Sequence, residues 1–164
     1  MKKLYIAKSS IAGRGIFAGE DISKGEFIVQ MNGKIIHKVY KTIGDLKIGR
    51  TWVPIKKHWW MSPEFPIKYT NHCCEPNTGF KSPRKLYAIK HIKKGVELSI
   101  DYATIEYVDF WSMPCTCGAN KCRHKMHSIQ FLPEATYKSY LPYIPRFLQK
   151  IYLNYKDGEK ENLR

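Results

Sequence analysis

The sequence predicts a β-rich fold, mostly strands with short helices, and three observations predict it. Up to about residue 100 the apolar residues fall in short runs broken by turn signals such as "ISKGE" and "MNGK". Near the C-terminus the pattern changes: Pro133 and Pro145 each suit the first position of a helix, and apolar residues then recur at helical spacing. Finally, 164 residues with 43% hydrophobic content support one packed domain and no second independent core.

Taken in order, Ile16-Phe17 is the first strand candidate, followed by Phe27 to Met31 and Lys34 to Ile36. Gly44 and Gly49 punctuate a polar, basic stretch, and "RTWVPI" reads as a further strand. Leu86 to Ile89 and Glu97 to Ile100 come next, joined by a turn at Lys94-Gly95. Ile144, Phe147, Leu148, Ile151 and Tyr155 share one helical face, so a helix from about Pro145 to Lys156 should dock that stripe on the body. The closing "DGEKENLR" is polar and reads as a frayed end. No internal repeat and no low-complexity linker is expected.

Composition narrows the setting. The net charge of +14 would attract nucleic acid, an anionic surface or an acidic partner. Five cysteines are an odd number, so they cannot all pair within one chain. In "MKKLYIAKSS" Lys8 ends the apolar run too early for a secretory signal. No stretch approaches the ~18 apolar residues of a membrane span, so no membrane role is expected. The expected location is intracellular: cytoplasmic in a prokaryote, nuclear or cytoplasmic in a eukaryote or virus. In a reducing compartment, clustered cysteines favour metal over disulfide.

Cys115, Cys117 and Cys122 lie together in "CTCGANKC". Cysteines one residue apart rarely bond each other without strain, yet both can face one ion. Zinc takes four ligands in a tetrahedron and accepts thiolates readily. Gly118 permits the turn that brings Cys122 round. The fourth ligand must come from elsewhere, with Cys73, Cys74, His124 and His127 as candidates. Such a closed sulfur site reads as structural rather than catalytic zinc.

Four segments then carry a resemblance: "GRGIFAGEDISKGEFI", "TNHCCEPN", "RKLYAIKHIKKGVELSIDY" and "CTCGANKCR". In this order the chain resembles the SET-domain protein-lysine N-methyltransferases, in a compact form with a cysteine-rich post-SET segment. The resemblance implies a SET-type fold of several small sheets, with a SET domain over 1–110, a zinc-bound post-SET segment over 111–125 and a C-terminal helical extension over 126–164. It implies S-adenosyl-L-methionine as methyl donor, one structural Zn2+ and a lysine-containing protein substrate. The implied zinc ligands are Cys74, Cys115, Cys117 and Cys122, leaving Cys73 as the odd thiol. The implied catalytic residue is Tyr102, which ends "ELSIDY". The implied cofactor contacts are Ala12, Gly13, Arg14, Gly15, Lys68, Tyr69, Asn71, His72 and Tyr102, with Trp111 over the adenine.

Two departures stand out. Lys68-Tyr69-Thr70 occupies the place where the family often has Arg-Phe-Ile, keeping the charge without the planar guanidinium fork. Ile100 stands where an aromatic tunes the number of methyls added, and leaves room for di- or trimethylation. From the residues themselves, Val96 to Pro114 holds no Lys or Arg but Glu97, Asp101, Glu106 and Asp109 among aromatics. That acidic island would suit a basic peptide, with Ile100, Asp101 and Tyr107 as candidate substrate contacts. Basic runs dominate elsewhere, with seven Lys or Arg against one Asp from Lys34 to Lys57, which suits work near DNA or chromatin. The competing reading is a basic zinc module that binds nucleic acid without catalysis.

Overall fold

The computed structural model describes residues 1–49 and 51–161. Among them the strands are β1 (Leu4–Lys8), β2 (Arg14–Ala18), β3 (Phe27–Gln30), β4 (Gly33–His37), β5 (Val53–Lys56), β6 (Trp59–Pro63), β7 (Asn71–His72), β8 (Thr78–Ser82), β9 (Lys85–Ala88), β10 (Glu97–Ile100), β11 (Ser112–Pro114) and β12 (Lys125–His127). Two α-helices follow, α1 (Glu134–Tyr140) and α2 (Arg146–Glu161). The strands form small separate sheets: β1-β2-β10-β7, β3-β9-β8, β4-β6-β5 and the hairpin β11-β12. All pairings are antiparallel except β10 with β7, which is parallel.

Every expected strand is present, although "RTWVPI" begins with Arg50, outside the described residues, and its strand starts at Val53. Strands β1, β6, β7, β8, β11 and β12 were not legible. The expected C-terminal helix exists but extends past Lys156 to Glu161, so the polar end is helical as far as it is described. Its stripe docks as expected: Ile144 and Leu148 are fully buried, and Phe147 and Ile151 pack beside them. Burying a leucine contributes roughly 1.5–3 kcal/mol. Pro133 is the cap of α1 rather than its first residue. No described helix is long and apolar enough to cross a membrane.

The expectation of no internal repeat is wrong. Residues 17–30 and 87–100 follow one pattern, a strand ending in alanine, a turn through "ISKG" or "IKKG", and a second strand. The two copies pair reciprocally. Ile22 and Ile92 exchange N–H···O bonds of 2.8 and 2.9 Å. The Gly25 N–H donates to Ala88 O, and the Gly95 N–H donates to Ala18 O, both at 2.8 Å. Both glycines sit in the left-handed region, at φ +85° and +84°, which a side chain would strain. Glu97 pairs with Phe17 just as Phe27 pairs with Tyr87. Few identical residues survive between the copies, so the sequence hides what the hydrogen bonds repeat.

The main core lies between these copies: Ile16, Ile22, Ile28, Leu86, Ile92, Leu98 and Ile100 are all essentially inaccessible. A second apolar cluster lies under the C-terminal helices and joins the body through Ala103. A third, small cluster is made of Cys74, Cys115 and Met126.

Candidate active site and metal centre

The site grows from the one parallel pairing. β10 is flanked by β2 on one side and by the two-residue β7 on the other, with Ile100 opposite His72. The chain therefore delivers Asn71, His72, Ile100, Asp101 and Tyr102 to one place.

Asn71 organises the loop before β2. Its Nδ2 donates within 3.2 Å to Ser9 Oγ, Ala12 O, Arg14 O and Glu97 Oε1. Glu97 also accepts from Ser9 Oγ at 2.9 Å through both carboxylate oxygens. A Cβ on Gly15 would fall 2.1 Å from Glu97 Oε1, so a side chain there would have to displace the carboxylate from Asn71 and Ser9. Residues 12–15 are thus held against Asn71, and Arg14 lies over the Tyr69 ring, 5.0 Å from its centroid. Lys68 Nζ lies 5.1 Å from the same centroid. Two cations beside an exposed glycine loop fit an amino-acid carboxylate, so these residues fit the methionine end of S-adenosylmethionine.

Tyr102 donates its hydroxyl to Thr70 O at 2.8 Å, and its N–H donates to His72 Nδ1 at 3.1 Å. Burial pushes the phenol up to about 12, so it stays protonated at neutral pH. It can orient groups and cannot serve as a base. The His72 ring is brought down to about 4, chiefly by burial, and is neutral. Because Nδ1 accepts, the proton sits on Nε2, which faces Cys74 Sγ at 3.2 Å.

The five cysteines are all free. Cys74 Sγ lies 3.8 Å from Cys115 Sγ, which lies 3.7 Å from Cys122 Sγ. Sulfurs bound at ~2.3 Å around a tetrahedral zinc ion stand about 3.8 Å apart, so the spacing fits zinc. A ring nitrogen of His72 and the sulfurs of Cys74, Cys115 and Cys117 all lie within 4.8 Å of one another; Cys122 stands outside that group and adjoins it through Cys115. Backbone N–H groups aim at the sulfurs: Cys74 at Cys117, Arg123 at Cys74 and His124 at Cys122. Burial opposes the Cys117 thiolate, but the Cys74 and Ala119 N–H groups and neighbouring thiols bring it down to about 7. Burial pushes the Cys74 thiol up to about 11. Among the other candidates, Cys73 Sγ accepts the Glu75 N–H, the His127 ring meets Phe131 edge-on, and His124 is exposed. Gly118 makes its turn at φ +72°. Trp111 packs against the cysteine cluster.

One expectation fails. Asp101 is no surface contact for a peptide: it is fully buried and held bidentately by Arg123 at 2.7 and 2.6 Å. Its Oδ1 also accepts the Ala103 N–H. The acidic island is accordingly mostly turned inward. Glu97 serves Asn71, and Glu106 accepts the Tyr107 and Val108 N–H groups, leaving Asp109 exposed. Tyr107 accepts the His58 N–H and stacks on Trp60 at 5.2 Å. Ile100 is buried in the main core beside Tyr102.

Ser9, Thr70, Asn77 and Arg123 were not anticipated. Asn77 ties β10 in place, donating to Glu97 O and accepting the Ser99 N–H. Arg123 was visible only as the residue after the third cysteine of "CTCGANKCR".

Comparison with known proteins agrees with this geometry. The SET domain profile matches residues 13–103. The chain belongs to the SET-domain family. Histone-lysine N-methyltransferase ASHH3 from Arabidopsis thaliana is 29% identical over 147 residues, covering 77% of this chain and 39% of the relative. The H3 lysine-4 specific histone-lysine N-methyltransferase of Schizosaccharomyces pombe is 30% identical over 139 residues, covering 74% and 15%. This SET chain therefore spans well under half of the length of these two relatives. Among solved structures, KRYPTONITE in complex with mCHG DNA and SAH aligns with a TM-score of 0.59 at 21% identity, over 76% of this chain and 29% of that one, a likeness of fold. An active polycomb repressive complex 2 in the basal state aligns with a TM-score of 0.50 at 28% identity, over 62% and 15%. The several small sheets are those of a SET-type fold.

Proposed function

We propose that this SET chain transfers a methyl group to the ε-amine of a lysine in a protein substrate. The observation that carries the reading is the arrangement at the end of β10. Tyr102 bonds to Thr70 O beside the Asn71-held glycine loop, and the thiol cluster closes the same strand end.

S-adenosylmethionine, when bound, supplies the methyl as an electrophilic sulfonium. The glycine loop 12–15, Arg14, Lys68 and Tyr69 bind its polar end, and Asn71 and His72 line the approach. Trp111, packed on the cysteine cluster, would cover the adenine. The attacking amine must be neutral, and the apolar wall of Ile100 and Tyr102 disfavours its ammonium. The protonated Tyr102 hydroxyl orients the amine along the line of displacement, where geometry carries much of the rate. No side chain here removes the proton, which leaves to solvent.

Cys74, Cys115, Cys117 and Cys122 hold one structural zinc ion. His72 donates Nε2–H to the Cys74 thiolate, so the zinc site and the cofactor site share one imidazole. The post-SET segment 111–125 is thereby closed over the SET body, and the described part of the C-terminal extension buttresses it.

The substrate reading is a histone or histone-like basic protein, supported by the names of the relatives. A chain of +14 repels a free basic protein, so the natural target is one already neutralised by DNA. Incubation with labelled methyl donor and either nucleosomes or free histones, followed by mass spectrometry of lysines, tests this. Faster transfer to nucleosomes, falling steeply with salt, is expected. Nucleic-acid binding with no methyl transfer to any lysine would instead favour a non-catalytic module.

A further inference from the structure

A cavity of about 330 Å³ opens between the β5–β6 turn, residues 107–110 and the C-terminal extension. Tyr40, Tyr107 and Phe110 give it aromatic walls, Asp109 gives a carboxylate, and Gln130 and Ile151 complete it. Lys57 and His58 also line it, Lys57 from the exposed turn. None of Tyr102, Thr70, Ile100 or Asn71 lines it, so it is not where a methyl acceptor meets Tyr102. Gln130 and Ile151 lie beyond the residues that match the SET profile.

Two observations say what would fit. Gln130 is nine-tenths buried, and its Nε2 donates to Tyr107 O at 2.8 Å, while its Oε1 has no hydrogen-bond partner among the described residues. That amide oxygen thus lacks a donor; it is itself inaccessible, so a ligand's N–H meets it once the Gln130 amide turns toward the cavity. Aromatic faces attract cations, and more so beside a carboxylate. Behind the wall, Glu106 acts on Tyr40 and accepts the Tyr107 and Val108 N–H groups. Burial raises its carboxyl to about 7, and a nearby cation would favour its ionised form. A group that is cationic, donates N–H and rests on aromatic faces is a guanidinium, or an ammonium that keeps at least one N–H. A trimethylated ammonium has no N–H to give Gln130.

We propose that this cavity is a specificity subsite for a second basic side chain of the protein substrate, an arginine or a lysine flanking the methylated one. The proposal rests on the methyltransferase reading. Arginine fits better than lysine, because its planar fork stacks on tyrosine while donating in plane.

Kinetics on synthetic peptides test it. Each peptide holds one acceptor lysine, with one flanking position at a time set to arginine, lysine, glutamine or glutamate. We expect one flanking position at which arginine lowers KM by about tenfold relative to glutamine, with kcat little changed. Asp109→Lys and Gln130→Met should each remove most of that advantage, raising KM for the arginine peptide and not for its glutamine counterpart. Thermal melts of both variants check that folding is retained. Methyl transfer with no flanking preference, or a preference that both folded variants keep, would overturn the subsite and leave the methyltransferase reading standing. Absence of transfer to every peptide and to nucleosomes, from protein that binds S-adenosylmethionine, would overturn the reading and the subsite with it.

Discussion

The two copies of the repeated motif end very differently. After β3 the chain reaches Met31 and Asn32, and Arg84 clamps them with bonds of 3.1 Å to Met31 O and 3.0 Å to Asn32 Oδ1. After β10 it reaches Asp101 and Tyr102, and Arg123 clamps Asp101 from the cysteine segment. Both joints use an arginine. The first binds neutral oxygens, one exposed and one part-buried, whereas the second binds a carboxylate with no solvent exposure. The difference comes from residues 71–77, "NHCCEPN". They place β7 alongside β10, pin β10 through Asn77 and bring Cys74 under Arg123. The turn motif encodes two strands; the segment laid beside one copy turns that copy into a site.

This contrast can be broken from the metal side first. Cys74→Ser, or chelation of the zinc, should release residues 111–125 and give the largest loss, with metal content falling from about one ion per chain toward zero by elemental analysis. Melting curves should show the change, and the first joint, which carries no cysteine, should keep its amide protection in hydrogen exchange.

Next come the two arginines. Arg123→Ala strands a buried carboxylate and should cost about 3–5 kcal/mol in denaturant unfolding. Arg84→Ala loses hydrogen bonds to neutral oxygens and should cost about 0.5–1.5 kcal/mol. Equal costs would mean that the burial of Asp101 is not what separates the joints.

Where the copies are alike, damage should be alike. Gly25→Ala and Gly95→Ala each force a side chain into the left-handed region and should each cost about 1–2 kcal/mol. The smallest effect is expected at Cys73. Cys73→Ser should change stability by less than about 0.5 kcal/mol, beside the collapse caused by the same change one residue on.

These comparisons also show what the sequence could reveal. The glycine turns flanking β3 and β10 are local signals, as are the cysteine spacing and the stripe of α2, and each was legible. β6 opens on Trp59-Trp60 with no turn residue to announce it, and β8 hides a glycine inside the strand. Asp101 was misread because a run of acids reads as surface, and its partner lies 22 residues further along the chain. The Ser9–Asn71–Glu97 network joins three distant segments, and nothing local in any of them announces it. The repeat escaped notice because its signature is a reciprocal set of backbone hydrogen bonds, which many residue types can make.

The account stands on the phenol at the end of β10. Its most direct test is single-turnover methyl transfer from S-adenosylmethionine to a lysine substrate by the wild-type chain and by Tyr102→Phe, with cofactor affinity measured in parallel. We expect Tyr102→Phe to keep its fold and bind cofactor within a few-fold, while transfer slows by roughly 100-fold or more. Transfer at the wild-type rate by a folded, cofactor-binding Tyr102→Phe variant would contradict the account.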